Sequence, residues 1–233
     1  MKLSEIFYTL QGEGMYSGYP SIFVRLSGCN LRCSWCDTPF ASWEPEGEKI
    51  TIANLYTEIC ALQDKHRCDM IVISGGEPMI FSKLLVGLVD RLRNSRGCHV
   101  TIETAGTIFD EDLKPDIYSV SPKLINAIPS PIERPTEHKI HMKNNTYKHL
   151  EKFNENDEVQ FKFVIASETD LEEVRGIVKT AGIDKQKVFI MPEATTREEL
   201  RSKTAWIAEL CKTEGFIFCN RLQVEIWNDR RAT

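Results

Sequence analysis

Three cysteines within one short stretch constrain this chain more than any other feature. Cys29, Cys33 and Cys36 have the spacing CxxxCxxC and directly follow the mostly apolar run 22–26. Thiolates so close in sequence can converge on one metal centre. A closed structural zinc site needs four ligands, and an iron–sulfur cube held by protein alone needs four cysteines. A local set of three leaves one cluster iron free to bind another molecule. A zinc site completed by a distant Cys or His is the alternative.

Composition limits the other classes of function. The chain has 233 residues, of which 42% are hydrophobic and 27% charged, as in an ordinary globular protein. The net charge of −5 provides no basic footprint for a nucleic-acid backbone. No apolar run approaches the roughly 18 residues of a membrane span, and the first residues lack a secretory signal. We therefore expect a single cytoplasmic domain over residues 1–233, with no direct nucleic-acid partner and no membrane partner.

Five further cysteines lie in or beside predicted helices and strands. They are Cys60, Cys68, Cys98, Cys211 and Cys219. Disulfides are rare in cytosolic proteins, and a free cysteine behaves as a small buried hydrophobe, which is the role we expect for all five. One of them could still supply a fourth zinc ligand, so counting cysteines does not eliminate zinc.

Strand and helix patterns alternate along the chain. Strands are predicted over residues 6–10, 21–26, 69–74, 99–104, 117–120, 159–165, 188–191, 216–218 and 222–226. Helices are predicted over residues 51–66, 84–94, 147–153, 171–180 and 198–212. Residues 39–49 should be irregular, and the proline-rich stretch 126–145 should form a long loop or lid.

This alternation predicts βαβ units and a parallel sheet. Roughly six strands are too few for a closed eight-stranded barrel of about 250 residues. Periodicity alone cannot separate an open doubly wound sheet from a partial barrel.

Candidate site residues come at the ends of predicted strands. Gly75 and Gly76 follow the strand 69–74 and allow a ligand to approach the backbone, although a tight turn has the same pattern. Residues 121–123 follow another strand, and a solvated lysine beside a turn proline is the simpler interpretation there. Glu103 lies at the end of its strand and is either a paired core charge or a ligand contact.

Several motifs together resemble one family through the first half of the chain. They are TLQGEG at residues 9–14, FVRLSGC at 23–29, CSWCDT at 33–38, SGGEP at 74–78, IETAGT at 102–107 and VSPK at 120–123. The CxxxCxxC and GGEP motifs are shared among radical S-adenosylmethionine (SAM) enzymes. The combination with TLQGEG, WCDT and SPK is narrower and resembles the 7-carboxy-7-deazaguanine synthase family. Residues 224–231 give no clear match, which leaves a substrate contact from the C-terminal tail in doubt.

The resemblance implies an α/β fold, a partial TIM-type barrel of about six parallel strands around a SAM cleft. It also implies conversion of 6-carboxy-5,6,7,8-tetrahydropterin to 7-carboxy-7-deazaguanine with loss of ammonia, towards queuosine-type tRNA bases. An electron from a reduced 4Fe–4S cluster cleaves SAM, and the resulting radical removes a hydrogen from the carbon bearing the carboxylate. Hydrogen return then regenerates SAM. No side chain is catalytic in this scheme, and residues 126–145 are the expected lid.

The resemblance further implies roles for individual residues. The expected cluster ligands are Cys29, Cys33 and Cys36. The expected SAM contacts are Trp35, Cys36, Asp37, Gly76, Ser121, Pro122 and Lys123. The expected substrate contacts are Leu10, Gln11, Gly12, Arg25 and Ser74. Thr38 is the expected Mg²⁺ position, although a threonine that merely caps a turn is the simpler interpretation.

Residue chemistry supports two of these assignments, Arg25 and Gln11, and suggests ligand contacts for two further residues. Arg25 carries a guanidinium that matches a carboxylate with two parallel hydrogen bonds. Gln11 and Glu13 could hydrogen-bond the edge of a pterin, and Glu103 could bind a ribose or a pterin nitrogen, although QGEG could also be only a turn.

The family further implies a homodimer and a flavodoxin-like electron donor. Two other functions remain open. A glycyl-radical-enzyme activase shares the cluster loop and acts on a protein, but it has no need of QGEG and Arg25. A zinc-stabilised binding protein without turnover gives no reason for GGEP at a neighbouring strand end.

Overall fold

The structure is a computed structural model that describes residues 1–228 and 230–232, so Asp229 and Thr233 lie outside the described residues. Its strands are β1 (Lys2–Leu10), β2 (Pro20–Leu26), β3 (Glu48–Lys49), β4 (Met70–Gly75), β5 (His99–Thr104), β6 (Ile117–Val120), β7 (Val159–Ile165), β8 (Val188–Pro192) and β9 (Ile217–Phe218). Its α-helices are α1 (Pro39–Ser42), α2 (Ile52–His66), α3 (Ser82–Arg96), α4 (Pro135–Asn144), α5 (Leu150–Asn154), α6 (Glu168–Thr180), α7 (Arg197–Glu214) and α8 (Leu222–Trp227).

The strands form one sheet in the order β3-β1-β2-β4-β5-β6-β7-β8-β9. Neighbours from β2 to β9 are parallel, whereas β1 is antiparallel to both β2 and β3. Within the described residues the two edge strands do not pair, so the barrel is open. The predicted α/β partial barrel is confirmed. Its parallel part has seven strands rather than about six, because the two-residue strand β9 extends it.

Each central strand has an outer face in the core and an inner face on a concave surface, as alternate residues of a strand point to opposite sides. Strand β7 shows this clearly. Its residues Val159, Phe161, Phe163 and Ile165 are almost fully buried in the main hydrophobic core. Helices α2, α3, α6 and α7 all add residues to the same core. The helices therefore cover the outer face and leave the concave face for polar residues.

Helix limits follow capping chemistry. Thr51 caps α2, since its hydroxyl accepts a hydrogen bond of 3.1 Å from the Asn54 N–H. Helix α7 begins with a reciprocal capping box between Thr196 and Glu199. Among the described helices, none is long and apolar enough to cross a membrane.

Four local predictions are wrong. Residues 39–49 are not irregular throughout, since they contain helix α1, which begins at a proline, and strand β3, which pairs with β1. The predicted strand 222–226 is helix α8, because the segment leaves the edge of the sheet and the Leu222 N–H donates to the Gly12 carbonyl instead of to β9. The stretch 126–145 is not one long loop, since it contains α4, which starts at Pro135, where the missing N–H of proline has no cost. The predicted helix 147–153 begins only at Leu150.

Candidate active site

The concave face encloses a pocket of about 700 Å³, within the range typical of small-molecule sites. Five parallel strands each place a polar side chain on its wall: Arg25, Ser74, Glu103, Ser119 and Lys162. Arg25 pairs with Ser74, and Glu103 with Ser119, in the strand ladders. The polar residues thus form a row across the inner surface of the half-barrel.

The wall of this pocket also brings together almost all the predicted site residues. Those on the wall are Leu10, Gln11, Gly12, Arg25, Cys29, Cys33, Trp35, Cys36, Asp37, Thr38, Ser74, Gly76, Ser121 and Lys123. Pro122 is the exception, because it is buried between its two neighbours and does not line the pocket. The pocket therefore joins the expected cofactor residues to the expected substrate residues.

The cysteine loop, residues 28–38, has the chemistry that an iron–sulfur cluster needs. Burial raises the pKa of the Cys29 and Cys33 thiols to about 12, so a metal centre must displace their protons on binding. The Leu31 N–H lies 3.3 Å from the Cys29 sulfur, and the Ser42 hydroxyl lies 3.0 Å from the Cys36 sulfur. Backbone and hydroxyl hydrogen bonds to sulfur tune and stabilise such clusters.

The arrangement of ligands fits a cluster better than a single ion. Within residues 1–228 and 230–232, no three His, Cys, Asp or Glu side chains form a compact set for one metal ion. All eight cysteines are among the described residues and are free, and only those of the CxxxCxxC motif lie on the pocket wall. A 4Fe–4S cluster separates its thiolates over different irons, and three thiols facing one pocket suit it.

The other five cysteines follow the core prediction to a large extent. Cys68, Cys98, Cys211 and Cys219 are buried, whereas Cys60 is partly exposed on α2. The thiol of Cys219 accepts a hydrogen bond of 3.1 Å from the Gly14 N–H.

The GGEP motif, residues 75–78, holds the cysteine loop against two strand ends. A Cβ on Gly76 would lie 2.3 Å from the Gly28 carbonyl oxygen and 2.7 Å from that of Ala41, so only glycine permits this approach. Glu77 is completely buried and accepts hydrogen bonds from the Thr104 hydroxyl (2.7 Å) and the Ala105 N–H (2.8 Å). Burial raises the pKa of Glu77, against the opposing effect of these hydrogen bonds. The motif therefore has a structural role in addition to any ligand contact.

The segment after β6 packs on the cysteine loop. The Trp35 indole N–H donates to the Asn126 carbonyl at 3.1 Å, and the Lys123 ammonium lies 5.5 Å from the centre of the Trp35 ring. The Lys123 ammonium also donates to the Ser121 hydroxyl at 2.8 Å. From α4, the Asn144 amide donates to the Asn30 carbonyl at 2.8 Å. Both ends of the predicted lid are thus anchored to the cysteine loop.

Arg25 is placed to hold an anion. Its Nε donates to Glu5 at 2.6 Å, and within the described part of the chain its two terminal nitrogens have no hydrogen-bond acceptor. Glu5 also accepts from Arg231 at 2.9 Å, which brings the C-terminal tail to the pocket. The free edge of the guanidinium matches the geometry of a carboxylate.

A network of buried charges lies at the opposite side of the pocket. The Lys162 ammonium is 3.0 Å from Glu13 and 3.4 Å from Glu103. Burial disfavours the charged form of Glu13, but Lys162 and Arg221 outweigh it and hold the pKa of that carboxyl well below its usual range. Burial likewise opposes the charge of Lys162, and Glu103 and Glu13 outweigh it and raise the pKa. These groups therefore stay ionised inside the protein.

Glu13 is a member of this network rather than a free hydrogen-bond acceptor. Its two oxygens accept from Lys162, Arg221 at 3.1 Å and Gln223 at 2.7 Å. The Gln11 amide donates to Glu103 at 3.2 Å. The expected contact of Glu13 with a pterin would have to compete with these protein partners.

Sequence reasoning missed Lys162, Arg221 and Gln223. A charge in the middle of the apolar strand Val159–Ile165 is a usable signal for Lys162. The other two lie in the C-terminal segment, where the alternating pattern predicted only a strand. Nothing local indicates that this segment returns to residues 12–14.

Comparisons with known proteins show the family of the chain. A profile of the family described as "4Fe-4S single cluster domain" matches residues 10–153. The chain is 40% identical over 235 residues to the 7-carboxy-7-deazaguanine synthase of Rhodopirellula baltica, with 99% of this chain and 88% of the relative covered. It is 35% identical over 244 residues to the protein of that name from Halobacterium salinarum, covering 100% and 93%.

Two solved structures share the fold. QueE from Escherichia coli matches with a TM-score of 0.65 at 23% identity, covering 95% of this chain and 93% of that one. SuiB from Streptococcus suis, bound to S-adenosylmethionine, matches with a TM-score of 0.56 at 13% identity, covering 88% and 53%.

Proposed function

Because the chain belongs to the 7-carboxy-7-deazaguanine synthase family, we propose that it converts 6-carboxy-5,6,7,8-tetrahydropterin to 7-carboxy-7-deazaguanine with loss of ammonia. It is a radical SAM enzyme in the biosynthesis of queuosine-type 7-deazapurines. One observation supports this proposal: a single pocket has the three thiols of the CxxxCxxC motif on one wall and Arg25 with a row of polar groups on the others.

The cofactors are a 4Fe–4S cluster and SAM, which together supply one-electron cleavage and removal of a hydrogen from the substrate carbon that bears the carboxylate. The chain's own residues bind and orient them. Cys29, Cys33 and Cys36 would hold the cluster, and a set of three protein ligands would leave one iron for SAM. The other groups assigned to SAM are Trp35, Asp37, Gly76, Ser121 and Lys123, with Pro122 acting only through the backbone it shapes.

The substrate is bound by the remaining walls. Arg25 offers its free guanidinium edge to the substrate carboxylate, beside the Ser74 hydroxyl. Gln11 and Glu103, already joined by a hydrogen bond, present amide and carboxylate groups that suit the donor and acceptor edge of a pterin. The backbone of Leu10 and Gly12 completes this side. The concave shape of the pocket limits access of water and of stray hydrogen donors.

Thr38 is the proposed Mg²⁺ ligand. Its hydroxyl lines the pocket 3.9 Å from the Cys36 sulfur. Mg²⁺ commonly keeps several waters and takes oxygens from its substrate, so one hydroxyl from the protein is sufficient. Thr38→Val should weaken the dependence of turnover on Mg²⁺, whereas Thr38→Ser should retain it.

An anaerobic assay tests the proposed function. The reconstituted protein is incubated with SAM, dithionite, Mg²⁺ and 6-carboxytetrahydropterin, and the products are followed by mass spectrometry. We expect 7-carboxy-7-deazaguanine. SAM cleavage with an untouched pterin would point to a glycyl-radical-enzyme activase. Zinc without iron or sulfide after anaerobic purification would point to a zinc-stabilised binding protein.

The partners follow from the same proposal. We place the protein in the cytoplasm, as a homodimer reduced by a flavodoxin-like donor, and its eight free thiols suit a reducing compartment. The charge of −5 supports the absence of direct nucleic-acid binding. Light scattering tests the dimer, and replacement of dithionite by reduced flavodoxin tests the donor.

A further inference from the structure

Arg221 joins three parts of the molecule that are distant in sequence. It lies between β9 and α8 and is buried. Its Nε donates to Glu13 at 3.1 Å, its Nη2 donates to Asp37 at 2.5 Å, and its Nη1 donates to the Ala194 carbonyl. All three nitrogens of the guanidinium are therefore used, each by a different loop.

These contacts lie where the barrel is open. Strand β9 is at one edge of the sheet, and β1 lies next to the other edge. The segment around Arg221 crosses between them, since the Leu222 N–H donates to the Gly12 carbonyl at 2.9 Å and the Gly14 N–H donates to the Cys219 sulfur at 3.1 Å. Polar contacts thus close the pocket where strand pairing does not.

The two carboxylates bound by Arg221 belong to different sides of the pocket. Asp37 directly follows the cluster ligand Cys36, on the side assigned to SAM. Glu13 directly follows Gly12, on the side assigned to the pterin. One rigid, planar group therefore fixes the distance between the two loops.

We propose that Arg221 is a positioning residue that couples the SAM side of the pocket to the pterin side, so that each ligand tightens the binding of the other. This rests on the proposed function, because it assigns one ligand to each loop. If binding of one ligand orders both loops through Arg221, binding of the second ligand causes a smaller further loss of conformational entropy. The coupling is reciprocal by thermodynamic linkage.

The two loops depend on Arg221 to different degrees. Glu13 is mostly buried and keeps Lys162 and Gln223 as partners when the guanidinium is removed. Asp37 has 52% of its side chain exposed, so it gains little order from burial. Loss of Arg221 should therefore weaken SAM binding more than pterin binding.

Binding measurements on the cluster-loaded enzyme test this proposal. SAM affinity is measured by calorimetry with and without 6-carboxytetrahydropterin, in the absence of reductant so that no turnover occurs. In the unmodified protein, the pterin should lower the dissociation constant of SAM about fivefold or more. In Arg221→Gln this factor should fall to about one, and SAM alone should bind about tenfold more weakly, as expected for loss of a charge-assisted hydrogen bond.

Three further variants separate positioning from general damage. Arg221→Lys keeps the charge but cannot bridge both carboxylates, so it should recover part of the SAM affinity and none of the coupling. Asp37→Asn removes the same ion pair from its exposed end. Its effect on the coupling between SAM and the pterin should not add to that of Arg221→Gln. Arg175→Gln is the matched control, since Arg175 also joins two carboxylates, Glu172 and Glu214, but lies outside the pocket wall.

Amide hydrogen exchange gives a result that does not depend on activity. In Arg221→Gln, exchange should accelerate at residues 10–17 and at residues 34–42 together, with iron content unchanged, and in Arg175→Gln at neither. Acceleration at both loops in a protein that never converts the pterin would overturn the proposed function and keep the link between the loops. Turnover with independent binding of SAM and pterin, or with coupling intact in Arg221→Gln, would overturn the role of Arg221. Should Arg221→Gln fail to fold, Arg221→Lys decides the question, since retained coupling between SAM and the pterin in that variant would overturn the role of Arg221.

Discussion

The two faces of strand β7 rely on different physics. The outer face carries Phe161 and Phe163, both fully buried among apolar side chains of the main core. The inner face carries Gln160 and Lys162, which are also buried but are held by directional contacts to Ser119 (2.9 Å) and to Glu13 and Glu103. Both faces exclude water, but only one does so with charges.

This difference separates stability from function. Apolar burial is non-directional and contributes most of the free energy of folding. Buried ion pairs often contribute little net stability compared with apolar residues of the same volume. The concave network is therefore best explained by the ligands that it positions. Substitutions on the outer face should lower stability without a specific loss of activity. Removal of one inner-face charge should lower activity as well as stability, because it leaves its partner buried and unpaired.

The largest expected effect is loss of turnover in Cys33→Ala. Removal of one of three thiolates leaves the cluster with too few protein ligands, so iron and sulfide content and pterin conversion should all be lost. Far-UV circular dichroism should be nearly unchanged, because Cys33 packs with Leu31 and Ala127 in a small cluster separate from the main core. Cys98→Ala is the control, since Cys98 is buried in the main core and its loss should leave iron content intact. Equal iron in both variants would contradict the assignment of the cluster.

On the outer face, Phe161→Ala should lower the free energy of unfolding by about 4 kcal/mol, because it removes a fully buried ring and leaves a cavity. Urea unfolding followed by circular dichroism measures this loss. Turnover per cluster-loaded molecule should stay close to that of the unmodified protein. A loss of stability below about 1 kcal/mol, or a specific loss of turnover, would show that the two faces are not separable.

Two glycines give a comparison of intermediate size. Gly76→Ala forces a Cβ against the Gly28 and Ala41 carbonyl oxygens, and should cost about 1–3 kcal/mol together with part of the SAM affinity. Gly87 lies within helix α3 and has open space around its missing Cβ. Gly87→Ala should therefore stabilise the protein by about 0.5–1 kcal/mol. Unfolding midpoints of the two variants check the opposite signs, and two shifts of the same sign would refute the crowding at Gly76.

The smallest effect concerns His141, which is completely buried. Burial lowers its pKa below the ordinary value of 6.5, so the folded protein keeps the ring neutral while the unfolded chain takes up a proton. The contribution of His141 to the free energy of unfolding should be fully present above about pH 6.5. It should decrease as the pH falls towards the pKa that His141 has in the folded protein. His141→Leu should flatten this part of the curve of unfolding free energy against pH. An unchanged slope would mean that other groups produce it.

Glu13 affects the free energy of unfolding at lower pH than His141 does. Its pKa is held below the ordinary 4.5, so its contribution is present above about pH 4.5 and is lost as the pH falls through the folded pKa. Acid unfolding of Glu13→Gln locates this window separately from that of His141.

Local patterns in the sequence predicted most of the sheet and most of the pocket wall. The alternation of strands with amphipathic helices predicted an α/β fold with a parallel sheet, and only the family resemblance favoured the partial barrel. The motifs at strand ends supplied the residues that meet in the pocket. One domain over residues 1–233, and the roles of the individual site residues, remain predictions.

The failures were non-local. Leu222, Val224 and Ile226 alternate as in a strand, yet their segment becomes α8 because it meets residues far away in the chain. The ion pair between Arg221 and Glu13 joins positions 208 residues apart, and no spacing rule reaches that distance. Prolines suggested a loop over 126–145, although a proline at the first position of a helix is allowed.

In the proposed function, this pocket brings SAM to the pterin carbon that carries the carboxylate. The most direct measurement uses 6-carboxytetrahydropterin with deuterium at that carbon, under anaerobic turnover with reductant, followed by mass spectrometry of the recovered SAM. We predict deuterium at the 5′ carbon of SAM, because the hydrogen taken from the substrate enters a methyl group before it is returned. Product formed with no deuterium in SAM would contradict the account.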